Sequence, residues 1–252
     1  NQTEGNIPKI ALTTGGADAL ECLLRSKKLG LDDSEFTLPS GNGSVNFYAG
    51  YGTNGSSASP GFAAGFNGVT AAQNFPAASP WWSSFDNLKK YDVVLLSCEG
   101  SPTLVNKSTA ARQAMYEYLK LGGRAFASHY HFVWIKEGPA PMPTVVKWGR
   151  DGSLGAITAD IDTTFERGAA LADWLLNVGA STQRGKLPLT ATGSNIESVT
   201  PGQAQRWVYY PPSNVMYYSF NAPIGADEKS QCGRMVDTDI HVASGDSSSS
   251  GL

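Results

Sequence analysis

The segment from Tyr91 to Ser128 narrows the fold more than any other part of the chain. Tyr91-Asp-Val-Val-Leu-Leu-Ser97 has an unbroken apolar centre, the pattern of a strand covered on both faces. It runs into Cys98-Glu99-Gly100. Ser108 then offers a side-chain oxygen to cap a helix, whose apolar stripe is Ala111, Ala114, Met115, Tyr118 and Leu119. Gly122-Gly123 stops that helix, and Arg124 to Ser128 reads as the next strand. Strand, helix and strand in this order cross over right-handedly and lie parallel in one sheet. The expected class is therefore α/β, flavodoxin-like, with a mostly parallel sheet and helices on both faces.

The rest of the chain fits one such domain over residues 1–252. Lys9 to Thr13 reads as a buried strand, Thr14-Gly15-Gly16 as a turn and Ala17 to Leu29 as a helix. Ser44 to Ala49 is another β-like run. Gly50 to Ser79 carries no charge and is rich in Gly, Ser, Asn and Ala, which predicts a long insertion or ordered loop. Trp81, Trp82, Phe85 and Leu88 follow at helical spacing, although two adjacent indoles are not expected to face the same core. Glu166 to Val178 predicts an amphipathic helix. Arg206 to Tyr210 and Asn214 to Phe220, joined by Pro211-Pro212-Ser213, predict a β-hairpin. Gly233 to Val242 predicts a last strand, and residues 244–252 a loose tail.

Only 16% of residues are charged and the formal net charge is -3. Without a basic stripe, nucleic acid is not an expected partner, and no apolar run reaches the ~20 residues of a membrane span. A surface built from Ser, Thr, Asn, Gly and aromatic residues points to a secreted, periplasmic or cell-surface protein; the polar first residues show no signal peptide, as a mature secreted chain would not. Cys22, Cys98 and Cys232 have no metal-finger spacing and allow one disulfide with a free thiol or three buried thiols.

Ligands in open α/β sheets bind beyond the carboxyl ends of the strands. Those ends carry Thr13, Thr14, Gly15, Gly16 and Asp18; Cys98, Glu99 and Gly100; Ser128, His129 and His131; and Asp239 and His241. All three histidines fall in this set. His129, His131, Asp239 and His241 are the candidate ligands of a divalent transition metal such as zinc. Glu99, Ser128 and His129 are the candidate catalytic residues, with Glu99 either activating metal-bound water or orienting His129 beside a Ser128 nucleophile. Alternation places Asp237, Asp239 and His241 on one face of the last strand, which fits either a metal or acid–base site or a bracing hydrogen-bond network. Cys98 is a weaker candidate nucleophile. Thr14-Gly15-Gly16 serves the turn more than an anion site. The aromatic residues Trp81, Trp82, Trp134, Tyr209, Tyr210, Tyr217 and Tyr218 suit core and rim packing better than sugar stacking.

Tyr91-Asp-Val-Val-Leu-Leu-Ser-Cys-Glu-Gly100, followed by a helix and Tyr118-Leu-Lys-Leu-Gly-Gly-Arg-Ala-Phe-Ala-Ser-His129, resembles the class I glutamine amidotransferase-like superfamily, ThuA-like branch. The late Gly233-Arg-Met-Val run is similar to that branch's late strand. Ile7-Pro-Lys-Ile10 and Ser128-His-Tyr-His131 resemble secreted proteins of myxobacteria and related Gram-negative bacteria. The resemblance implies a link to carbohydrates. It also implies a cysteine nucleophile near position 128, where this chain has Ser128, so glutaminase activity is not expected. The expected function is a secreted hydrolase, metal-assisted or not, acting on a carbohydrate or related small polar substrate. The alternative is a non-enzymatic binding or surface-interaction module.

Overall fold

The computed structural model of the chain describes residues 4–18, 20–25, 31–51, 61–62, 64–66 and 70–241. Its strands are Ile10–Thr13 (β1), Phe36–Thr37 (β2), Val45–Tyr48 (β3), Gly61–Phe62 (β4), Gln73–Asn74 (β5), Val93–Leu96 (β6), Arg124–Ser128 (β7), Val146–Trp148 (β8), Ser153–Leu154 (β9), Ile157–Ile161 (β10), Lys186–Leu189 (β11), Thr192–Gly193 (β12), Ile196–Val199 (β13), Ala204–Tyr210 (β14), Asn214–Ala222 (β15) and Gly233–Thr238 (β16). The helices are Leu20–Leu24 (α1), Ala78–Trp82 (α2), Phe85–Leu88 (α3), Thr109–Lys120 (α4), Val133–Lys136 (α5) and Glu166–Asn177 (α6).

Ten strands form one sheet in the order β11-β10-β14-β15-β16-β7-β6-β1-β3-β2. From β16 to β2 every pairing is parallel. Counting β1, β3, β6, β7 and β16 in chain order gives 2-1-3-4-5, the flavodoxin-like order. The remaining pairings, from β16 outward to β11, are antiparallel. The expected hairpin is present as β14 and β15, but it is only the inner part of a four-strand extension.

Helices cover both faces. On one, α2, α3, α4 and α5 bury Val94, Leu96, Ala125, Ala127 and Met235. On the other, α1 packs over Ile10, Leu12 and Phe47, and α6 packs over Ala159, Ile161 and Val208. Ser108 caps α4 as expected, its Oγ accepting from the Ala111 N–H at 3.2 Å.

Several expectations need correction. Trp81 and Trp82 are both buried. The five-residue helix α2 is sandwiched, so Trp81 stacks on Tyr48 with centroids 4.2 Å apart while Trp82 meets Trp134 edge-on at 5.1 Å. Where described, the 50–79 stretch forms the small β4–β5 ladder and the start of α2. The last strand stops at Thr238 rather than Val242. Residues 26–29 of the expected first helix and the tail 244–252 lie outside the described residues. Among the described residues, no helix is long and apolar enough to cross a membrane.

Candidate functional site

The ends of β1, β6, β7 and β16 meet at one rim of the sheet. Gly15, just past β1, lets two of these ends touch. A Cβ there would lie 2.2 Å from the Cys98 carbonyl oxygen, and the Ala17 N–H donates to that same oxygen at 2.9 Å. This contact carries the chain to Asp18, whose side chain is buried. One Asp18 oxygen accepts from the Ser128 hydroxyl, the other from His241 Nδ1 at 2.9 Å. His241 therefore presents its Nε2 lone pair elsewhere.

His129 sits just past β7 with φ 40°, the one described non-glycine residue with positive φ. Such a backbone costs energy for an L-residue and clusters at functional sites. The turn throws the His129 ring edge-on against His241, with centroids 4.7 Å apart. Its Nδ1 lies 3.8 Å from Cys98 Sγ, and its Nε2 is buried with no hydrogen-bond partner. Cys98, His129 and His241 each offer a ligand atom, and all three atoms lie within 4.8 Å of one another. The strand β12 roofs this group. A Cβ on Gly193 would meet His129 Nε2 at 2.6 Å, so only glycine passes there without displacing the imidazole.

Burial dominates the electrostatics. It pushes the Cys98 thiol up to about 12, against two backbone N–H groups that favour the thiolate. It lowers His129 to about 4, with His241 adding to the effect and Asp18 opposing it. His241 moves the other way, raised chiefly by its hydrogen bond to Asp18. Without an added cation, Cys98 and His129 face each other as neutral thiol and neutral imidazole. Beside them opens a cleft of about 580 Å³, bordered by Gly100, Tyr130, Asp151, Ser153, His129 and His241.

The other sequence-derived candidates go elsewhere. His131 is fully buried. Its Nδ1 accepts from the Trp134 indole at 3.0 Å and its Nε2 donates to the Ser97 carbonyl at 2.8 Å, so neither nitrogen is free for a metal. The Asp239 carboxylate accepts from the Asn195 N–H at 3.1 Å and from its side-chain amide at 2.9 Å. Burial raises Asp239 to about 7, with Asp151 adding to this and the Asn195 hydrogen bonds opposing it. Asp237 faces Tyr218 inside the fold and does not join His241. Glu99 is sealed in an ion pair with Lys107 at 2.5 Å and accepts the Tyr51 N–H at 3.1 Å. It does not orient His129, and the Ser128 hydroxyl is given to Asp18, so no Ser128–His129–Glu99 triad forms. Asp18 and Cys98 take their place. Both stood among the strand-end residues, but nothing in the linear order marked them as partners.

No family model matches the chain, and no curated protein matches it. Solved structures with similar folds include a ThuA-like protein from Bacteroides uniformis, 11% identical over 94% of this chain and 83% of that one, at TM-score 0.47. The mmIFT52 N-terminal domain is 7% identical over 92% and 85%, at 0.48. PurLQS from Thermotoga maritima is 8% identical over 93% and 87%, at 0.41. Likenesses of this size assign neither family nor activity.

Proposed function

We propose that Cys98, His129 and His241 hold a divalent transition metal, zinc by preference, in a hydrolase acting on a carbohydrate or related small polar substrate. The observation that carries this reading is the approach of the three ligand atoms to within 4.8 Å of one another, with His129 and His241 lining an open cleft and Cys98 buried behind them. One sulfur and two imidazoles suit zinc better than calcium or magnesium. Three protein ligands are the number that leaves a fourth position for water, and a bound ion would lower the pKa of such a water toward about 7.

The chain's own residues divide the remaining work. Asp18 accepts the Nδ1 proton of His241 and so fixes the tautomer whose Nε2 can ligate, a carboxylate–histidine–metal arrangement. Asp151, exposed on the cleft wall, is the carboxylate of that lining and would be the proton acceptor for a water activated there. Tyr130 and Ser153 border the same cleft and offer a ring face and a hydroxyl to a polyhydroxylated substrate. The low charged fraction supports a place outside the cytoplasm within this reading.

Elemental analysis of the purified chain tests the centre. About one equivalent of zinc is expected, falling to background in Cys98→Ser and His241→Ala. Hydrolysis of a panel of glycosides and esters should vanish on chelation and return with zinc. A chain that takes up no transition metal, yet hydrolyses the same substrates with or without chelator, ends the proposal.

A further inference from the structure

The face of the sheet that carries α6 holds an apolar groove of about 470 Å³. Phe126 of β7, Val236 of β16, Tyr217 of β15 and Trp207 of β14 contribute to its floor, and Leu175 and Trp174 of α6 to its wall. Two of its polar groups are already committed. Trp207 Nε1 donates to Ser219 Oγ at 2.9 Å, and Thr238 Oγ1 donates to the Met216 carbonyl at 3.1 Å. The floor thus offers an entering molecule mainly dispersion contacts. Trp174 nevertheless stands 57% exposed, a large apolar surface left in water.

One end of the groove is cationic. Arg234 lines it, Arg124 is its register partner on the neighbouring parallel strand, and Arg167 stands in the first turn of α6. Like charges side by side on a sheet destabilise it. Burial and then the charges of Arg167 and Arg124 depress the Arg234 pKa. Among the described residues none of the three is in an ion pair; the Arg234 Nε donates to the neutral Asn221 side chain at 2.9 Å. The geometry assigns this groove to an amphiphile, a long-chain carboxylate, with its hydrocarbon along β16 and its acid group among Arg124, Arg167 and Arg234. The volume suits one small ligand, and Arg234 to Thr238 alone spans about 13 Å of extended strand. The inference stands without the metal reading, because only His241 borders both groove and cleft.

Titration of the full chain with monomeric myristate, followed by indole fluorescence and equilibrium dialysis, tests it, with tetradecanol as the uncharged control. Saturable binding of the acid is expected, with the alcohol at least about tenfold weaker, the effect of one charge-assisted hydrogen bond. Arg234→Met should weaken the acid by about tenfold or more and leave the alcohol unchanged. Arg124→Ala, at an exposed strand start, repeats the test if Arg234→Met folds poorly. Equal affinity for acid and alcohol overturns the inference. So does the absence of saturable binding, a dimer that excludes the acid, or binding to anionic vesicles without binding to the monomeric acid.

Discussion

Cys98 and Glu99 are neighbours in the chain and both are buried, yet they end in opposite kinds of environment. Glu99 meets Lys107, and the ammonium's three donors are all used, on Glu99, the Thr103 carbonyl at 3.0 Å and the Asn106 side chain at 3.1 Å. Burial pushes Glu99 up and Lys107 down, while each charge pulls the other back. Cys98 instead meets a histidine whose far nitrogen has no partner. His131 and His129 repeat the contrast, the first saturated and the second short of a hydrogen bond. Completed polar groups brace a fold. A buried group with an unspent donor or acceptor calls for its own explanation, and here it belongs to the imidazole that faces Cys98.

The sharpest way to break this contrast is to cut the completed cluster. Glu99→Gln or Lys107→Met leaves an unpaired buried charge and should cost about 3–5 kcal/mol in urea denaturation. Cys98→Ala, made one residue away, should cost less than about 2 kcal/mol while abolishing metal uptake. Equal losses would remove the distinction. The histidine pair should behave likewise on a smaller scale. His131→Phe strands the Trp134 indole and the Ser97 carbonyl and should cost about 2–3 kcal/mol. His129→Asn keeps a residue that tolerates positive φ and should cost within about 1 kcal/mol.

A pH-dependent effect concerns Asp237, a fully buried carboxyl raised well above its ordinary range by desolvation and then by Asp239. Its folded-state pKa exceeds the unfolded one, so its contribution is fully present below about pH 3.9 and lost as pH rises toward the folded value. Asp237→Asn removes that loss. The stability of the variant relative to the parent should climb with pH from about 4 upward, by no more than about 1.4 kcal/mol per unit. A flat difference between pH 4 and 8 in urea titrations would show that Asp237 ionises normally.

The parallel half of the sheet was legible because its central strands are continuous apolar runs and α4 carries both a cap and a glycine stop. The antiparallel extension was legible only at its hairpin. Its outer strand β11 contains Pro188 and is partly exposed along its length, so it carries neither an apolar run nor clean alternation. At the site, the gathering of His129 and His241 was visible in the strand-end positions. The His129-x-His131 pairing was misleading for a geometric reason. The segment is a 3-10 turn rather than a strand continuation, and at three residues per turn positions i and i+2 point about 120° apart. Asp18 could not be paired with His241 from local pattern, because 223 positions separate them.

That separation has a consequence for how the molecule comes into being. β16 arrives last of the strands, yet it is the seam of the sheet, joined to β7 on one side and β15 on the other. Contacts this distant in the chain form only after a large loop has closed. A nascent polypeptide still lacking β16 therefore has two blocks of strands not yet joined in one sheet and no His241 beside Asp18. Gathering of Asp18 with His241 and union of the two blocks in the sheet are one event.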